Sequence, residues 1–215
     1  MDTVRQAVRR GLTGISVALL AVVAVIGLHA LDQTRHGGAF VQVIAGVRGD
    51  QPVLLVLLRT PVSLFVPARD LSAWPGLPQL FIAFALAQLS LGRTRTVLVA
   101  YASTLAGTFS ARIMIALGPY WWGLPAETAH VVDTGPSAAI VALFTHVAVV
   151  RRAPVLFLVT GGSMILRSIA EPNLAGREHL VAIAVAIALG LFHNRLTGRR
   201  RPRPASRGVS FRTRD

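Results

Sequence analysis

Ser137 and His179 are the residues whose types and placement suit nucleophilic chemistry. Ser137 stands in Thr134-Gly135-Pro136-Ser137-Ala138 at the head of one apolar stretch. His179 stands in Arg177-Glu178-His179-Leu180 at the head of another, two stretches later. Stretches that cross a bilayer alternate in direction, so two that differ by two begin at the same face. A serine hydroxyl is a poor nucleophile until a base takes its proton, and histidine suits that task near neutral pH. A serine and a histidine at one depth are the least that acyl-transfer chemistry inside a membrane requires.

The surrounding residues are of the kinds such chemistry uses. Gly135 lets backbone approach a bound chain, and Pro136 fits a first helical turn, where its missing N–H costs little. Free backbone N–H groups at a helix start, near Ser137 and Ala138, would supply part of an oxyanion hole. Ser137 is equally well read as a helix-start serine that satisfies its own backbone. Beyond His179, Ala182, Ala186 and Gly190 follow at offsets of three, four and four, on one helix face. Small residues let helices approach closely in lipid, which is also ordinary packing. Asp133 and Glu178 flank the pair and read as solvated loop carboxylates that tune it at most. His146, nine residues past Ser137, falls deeper and reads as buried against a neighbour. No histidine spacing suits a metal, and no cofactor is expected.

Composition sets the frame for these residues. The 215-residue chain is 53% hydrophobic and 14% charged, with a mean hydropathy of +0.59. That is too apolar for an ordinary soluble domain. There is no cysteine, which excludes disulfides, thiolate metal sites and cysteine nucleophiles. The net charge of +13 comes with arginine and no lysine. The arginine-rich segment 199–215 has no interleaved aromatics of the single-strand-binding kind. It reads as a cytoplasmic tail that touches anionic lipid, with no nucleic-acid partner expected.

Apolar periodicity predicts an all-α membrane protein with six transmembrane helices in one domain, residues 1–198. The expected spans are Leu12–Leu31, Leu77–Leu91, Val97–Leu117, Ser137–Val150, Pro154–Ile169 and Leu180–Phe192, the last extending from Glu178 to Leu196. Between the first two, Val53–Leu58 and Pro61–Val66 are too short to cross and are broken by Arg59 and prolines, so they read as a buried loop or interfacial helix. Tyr120-Trp121-Trp122 suits the aromatic belt. Arginines cluster in alternate loops, which puts both termini in the cytoplasm of a multi-pass cell-membrane protein, and Ser137 and His179 near the outer face. Arg112 and Arg167 lie near enough to that face to snorkel.

These motifs together resemble the rhomboid family of intramembrane serine proteases, in its divergent actinobacterial form. Gly135-Pro136-Ser137-Ala138 resembles its Gly-x-Ser-Gly, with alanine in the last place. His179 with Ala182, Ala186 and Gly190 resembles its sixth-helix pattern. Ala87-Gln88-Leu89-Ser90-Leu91-Gly92 resembles the Glu-x-x-x-Gly that closes its second helix, with Gln88 in the acidic position. The resemblance implies a six-helix core and an endopeptidase that cleaves transmembrane proteins near the outer face, with Ser137 as nucleophile and His179 as base. It also implies oxyanion donors near Ser72 and Gly76, where this chain has neither histidine nor asparagine, and an aromatic four places after the serine, where it has Val141. The alternative is a catalytically silent rhomboid-like protein that binds transmembrane helices as clients.

Overall fold

The computed structural model describes residues 11–67, 74–120, 123–170 and 173–198. The N-terminal arginines, Arg69, Asp70, Ser72, the Trp121–Trp122 pair and the tail 199–215 lie outside the described residues. Among the described residues the fold is all helical, with a lone antiparallel bridge between Val47 and Asp133. The helices are α1 (Ser16–Asp32), α2 (Gly37–Ala45), α3 (Val53–Ser63), α4 (Gly76–Leu91), α5 (Arg93–Leu117), α6 (Ser137–Arg151), α7 (Pro154–Ala170) and α8 (Leu174–Gly198). Among the described residues, three stretches are long and apolar enough to cross a membrane: Gly11–Asp32, which includes α1, Arg93–Leu117, which is α5, and Leu174–Leu196 within α8. The apolar helices α4, α6 and α7 are shorter.

Helix α6 is the centre. Nine of its fifteen residues are buried, because α4, α5, α7 and α8 all pack around it. Helix α1 lies at the periphery against α4. Its carbon-rich outer face, with Leu20, Val23 and Ile26, stays exposed, as lipid contact requires. The contact of α6 with α8 uses the smallest side chains available. Ala142, Ala182 and Ala186 are fully buried together, with Ala138 beside them. Further along, a methyl at Gly190 would come within 2.8 Å of Val149 Cγ1. The face of α5 that meets α8 is also small: a methyl on Gly107 would rest 3.4 Å from Glu178.

The loop expected to be broken by Arg59 and Pro61 is built differently. Helix α3 runs through both residues to Ser63. Pro61 has no N–H to give the carbonyl of Leu57; the Tyr101 hydroxyl donates to that carbonyl instead, at 3.2 Å. Arg59 does not end the helix, because its guanidinium donates to the Gly46 carbonyl at 2.9 Å. Helices α2 and α3 hold nine and eleven residues, about 14–17 Å at ~1.5 Å per residue, so neither crosses.

Two further boundaries differ from the sequence expectation. Helix α8 starts at Leu174, four residues before Glu178. Asn173 Oδ1 accepts the Gly176 N–H at 2.7 Å, a side-chain cap that the alanine- and valine-rich periodicity hides. Helix α7 contains a π turn at Leu158–Gly162. There Thr160 and Ser163 donate to the carbonyls of Leu156 and Val159, at 2.7 and 2.6 Å, which loosens the regular ladder.

Gln88 joins α4 to the start of α1. Its Oε1 accepts the Val17 N–H at 2.8 Å, and its Nε2 donates to Thr13 O and Ser16 Oγ at 3.1 and 3.2 Å. A carboxylate accepts but cannot donate, so the amide is the group this junction needs. Gln88→Leu is expected to cost about 2–3 kcal/mol by removing a buried amide's bonds and orphaning a first-turn N–H. Gln88→Glu, which keeps the acceptor, should cost less. Thermal unfolding in detergent compares the two.

Candidate active site

The segment before α6 is pinned before the helix begins. Asp133 N–H donates to Val47 O at 2.8 Å, and Gly135 N–H donates to Ser63 O at 3.1 Å. Both acceptors belong to the α2–α3 region, so the first loop sets where α6 starts. Gly135 has φ +134°, with nothing nearer than 3.9 Å to an added methyl. Its glycine is required by backbone conformation rather than by space. No side chain caps α6, so its first-turn amides, including those of Ser137 and Ala138, stay free of intrahelical partners.

Ser137 and His179 meet. Ser137 Oγ lies 2.9 Å from His179 Nε2, within hydrogen-bond distance for a neutral imidazole accepting the hydroxyl proton. Since α8 begins at Leu174, His179 does not open its helix but sits in the second turn. It is buried at 9% exposure, whereas Ser137 is open to the adjoining space. That space is a cavity of about 650 Å³ walled by α4, α5, α7 and α8, with Ser137 and His179 on its surface. Its lining is polar for a helical bundle: Thr104, Thr108, Arg167, Ser168 and Asn173 all contribute. A second, apolar pocket of about 190 Å³ opens beside Ser137, between Val25, Leu80, Ile140, Val141 and Met164.

Asp133 and Glu178 are not solvated loop carboxylates. Glu178 is 5% exposed, and its carboxyl is hydrogen-bonded to that of Asp133, which points inward from a half-buried residue. Thr108 Oγ1 donates to Asp133 Oδ2 at 3.3 Å. Burial pushes the Asp133 carboxyl above the ordinary aspartate value, and its bonds with Glu178 and Thr108 offset this only in part. Glu178 Oε1 and Ser168 Oγ have no partner among the described residues. The sequence signal for the pair was an acidic residue beside each member of the dyad, Asp133 four places before Ser137 and Glu178 immediately before His179. Depth in the fold, which reverses its meaning, is not visible in spacing.

His146 is buried against α8, where its Nδ1 donates to the Ala186 carbonyl at 3.1 Å, remote from the dyad along α6. Arg112 reaches the Arg48 carbonyl at 3.4 Å, and Arg167 lines the cavity. Gly76 also lines the cavity, without a side-chain donor; the α4 residue that does bring an amide there is Gln79, and Asn173 brings another. No group of three or more metal-ligating residues occurs among the described residues.

Two outcomes follow from this geometry. Ala186→Leu should force α6 and α8 apart and lower stability by about 1–3 kcal/mol, as overpacking does, in a detergent melting series. For Asp133, the folded chain keeps a proton that the unfolded chain has released. The folded state therefore binds more protons between the ordinary aspartate value and the raised one, and stability falls as pH rises through that window. Asp133→Asn should flatten this part of the profile, read as melting temperature from about pH 4 to about pH 8.

No family model, curated protein or solved structure matches this chain.

Proposed function

We propose that the chain is a rhomboid-like intramembrane serine endopeptidase, with six membrane crossings, both termini cytoplasmic, and cleavage of transmembrane proteins near the outer face. The observation that carries this reading is the 2.9 Å approach of Ser137 Oγ to His179 Nε2 on the wall of a cavity lined in part by polar side chains. Hydrolysis within a membrane needs water at the scissile bond, and a cavity of that volume and lining holds it.

In the reaction, His179 Nε2 takes the Ser137 proton as Oγ attacks the carbonyl carbon. The developing oxyanion is met by the free first-turn amides of α6, with the Gln79 and Asn173 amides on the same cavity. The imidazolium returns its proton to the leaving amine, and a water deprotonated by the same histidine frees the acyl group. The 190 Å³ apolar pocket beside Ser137 suits an aliphatic side chain of the substrate. Val141 is on its wall, at the position where the family pattern has an aromatic ring; a ring there would take up part of this space.

Three helices are long enough to cross without help. Helix α4, with sixteen residues, spans about 24 Å at ~1.5 Å per residue, so the six-crossing reading requires local bilayer thinning around α4, α6 and α7. The second reading, a silent binder of transmembrane helices, is favoured by Gly76, which brings no donor to the cavity.

A fluorophosphonate probe on purified protein separates the two. Covalent labelling of wild type is expected, abolished in Ser137→Ala and slowed about 10²–10⁴-fold in His179→Ala, the usual contribution of a general base. An unlabelled wild type that still binds transmembrane helices supports the silent reading.

A further inference from the structure

The dyad is assembled from two segments, and each carries a buried carboxyl next to its reactive residue. Asp133 lies four residues before Ser137, in the segment bridged to Val47, and Glu178 is the residue before His179. The two carboxyls are hydrogen-bonded to each other. A carboxylate has no donor, so this bond exists only while one proton is shared between them. Three further contacts fix the place of the pair. Thr108 of α5 donates to Asp133, Asp133 N–H is tied to Val47, and the backbone of Glu178 rests against Gly107.

We propose that Asp133 and Glu178 form a one-proton carboxyl bridge that holds the Ser137 segment against the His179 segment, so that dyad alignment depends on that proton. They act as positioning residues. With the proton present, the bridge joins the α6 entry to α8 on the outer side of the dyad. When the proton leaves to solvent, two buried carboxylates face each other at close range. Their repulsion drives the segments apart, and Oγ moves out of reach of Nε2. The charged and titratable groups around the pair are His179 on α8 and Arg167 on α7, which share its cavity, and Arg48 and Arg112, which share a small cleft on its other side. Burial opposes ionisation of the Asp133 carboxyl, and the Thr108 bond offsets it only in part.

The activity arm of the test rests on the hydrolase reading, so a second arm is independent of it. Full-length protein in lipid nanodiscs is followed by infrared spectroscopy, and Ser137 labelling by the fluorophosphonate probe, both through neutral to alkaline pH. Wild type should show the carbonyl stretch of a protonated, buried carboxyl at neutral pH and lose it on alkaline titration. Glu178→Gln should lack that band, because the glutamine amide donates to the Asp133 carboxylate without a shared proton. Wild-type labelling should fall on the alkaline side, reversibly. Glu178→Ala should label slower by about 10²-fold, the scale of an ångström-sized misplacement. Glu178→Gln should recover most of that loss and show no alkaline fall. Absence of the band in wild type, or the same alkaline fall in Glu178→Gln as in wild type, overturns the bridge. A wild type that never labels, while the band behaves as stated, overturns the hydrolase reading and leaves the bridge standing.

Discussion

Helices α6 and α8 meet at a seam built largely of methyl side chains. Ala138, Ala142, Ala182 and Ala186 form that seam, and the separation it sets is what brings an oxygen on one helix within 2.9 Å of a nitrogen on the other. In lipid there is little hydrophobic gain from joining two apolar helices, so dispersion contact at short range carries the association. The His146 bond to the Ala186 carbonyl and the Asn194 bond to the Val149 carbonyl, at 3.1 Å, add directional links along the same seam. Substituting bulk into the seam therefore affects the site at a distance from it.

A second constraint is the satisfaction of backbone groups where water is scarce. The chain meets it with single side chains placed at each irregularity. Tyr101 serves the carbonyl left by Pro61, Arg59 serves the end of α2, Gln88 serves the start of α1, and Arg177 reaches the Gly123 carbonyl at 2.7 Å. Each of these bonds also joins elements distant in sequence. Among the described residues, the first-turn amides of α6 and, on the cavity wall, Ser168 Oγ stay unpaired where an incoming chain or water would meet them.

Much of this architecture was legible in the residues. Long apolar runs gave helices of the right kind, since hydropathy over a membrane-length window depends on composition and not on neighbours. The short pieces of the first loop were recognised as non-spanning for the same reason. Ser137 and His179 stand out because each heads an apolar stretch, two stretches apart. Boundaries were less legible. Asn173 starts α8 a turn before the apolar core of the helix, and Pro61 sits inside α3, because each depends on one side-chain hydrogen bond rather than on a periodic pattern.

What the sequence determined by itself was the list of chemical groups and their order along the chain: a serine and a histidine at the heads of two apolar stretches, alanines on one face, carboxyls beside both. What only the tertiary structure decided was the environment of each group. Asp133 and Glu178 look like loop carboxylates in sequence, and become a buried pair because the α6 entry is drawn in by Val47 while α8 packs on Gly107. The physical reason is that protonation and hydrogen bonding respond to distances of a few ångströms and to exclusion of water. Both are set by the joint packing of α5, α6 and α8, which no single segment of the sequence encodes.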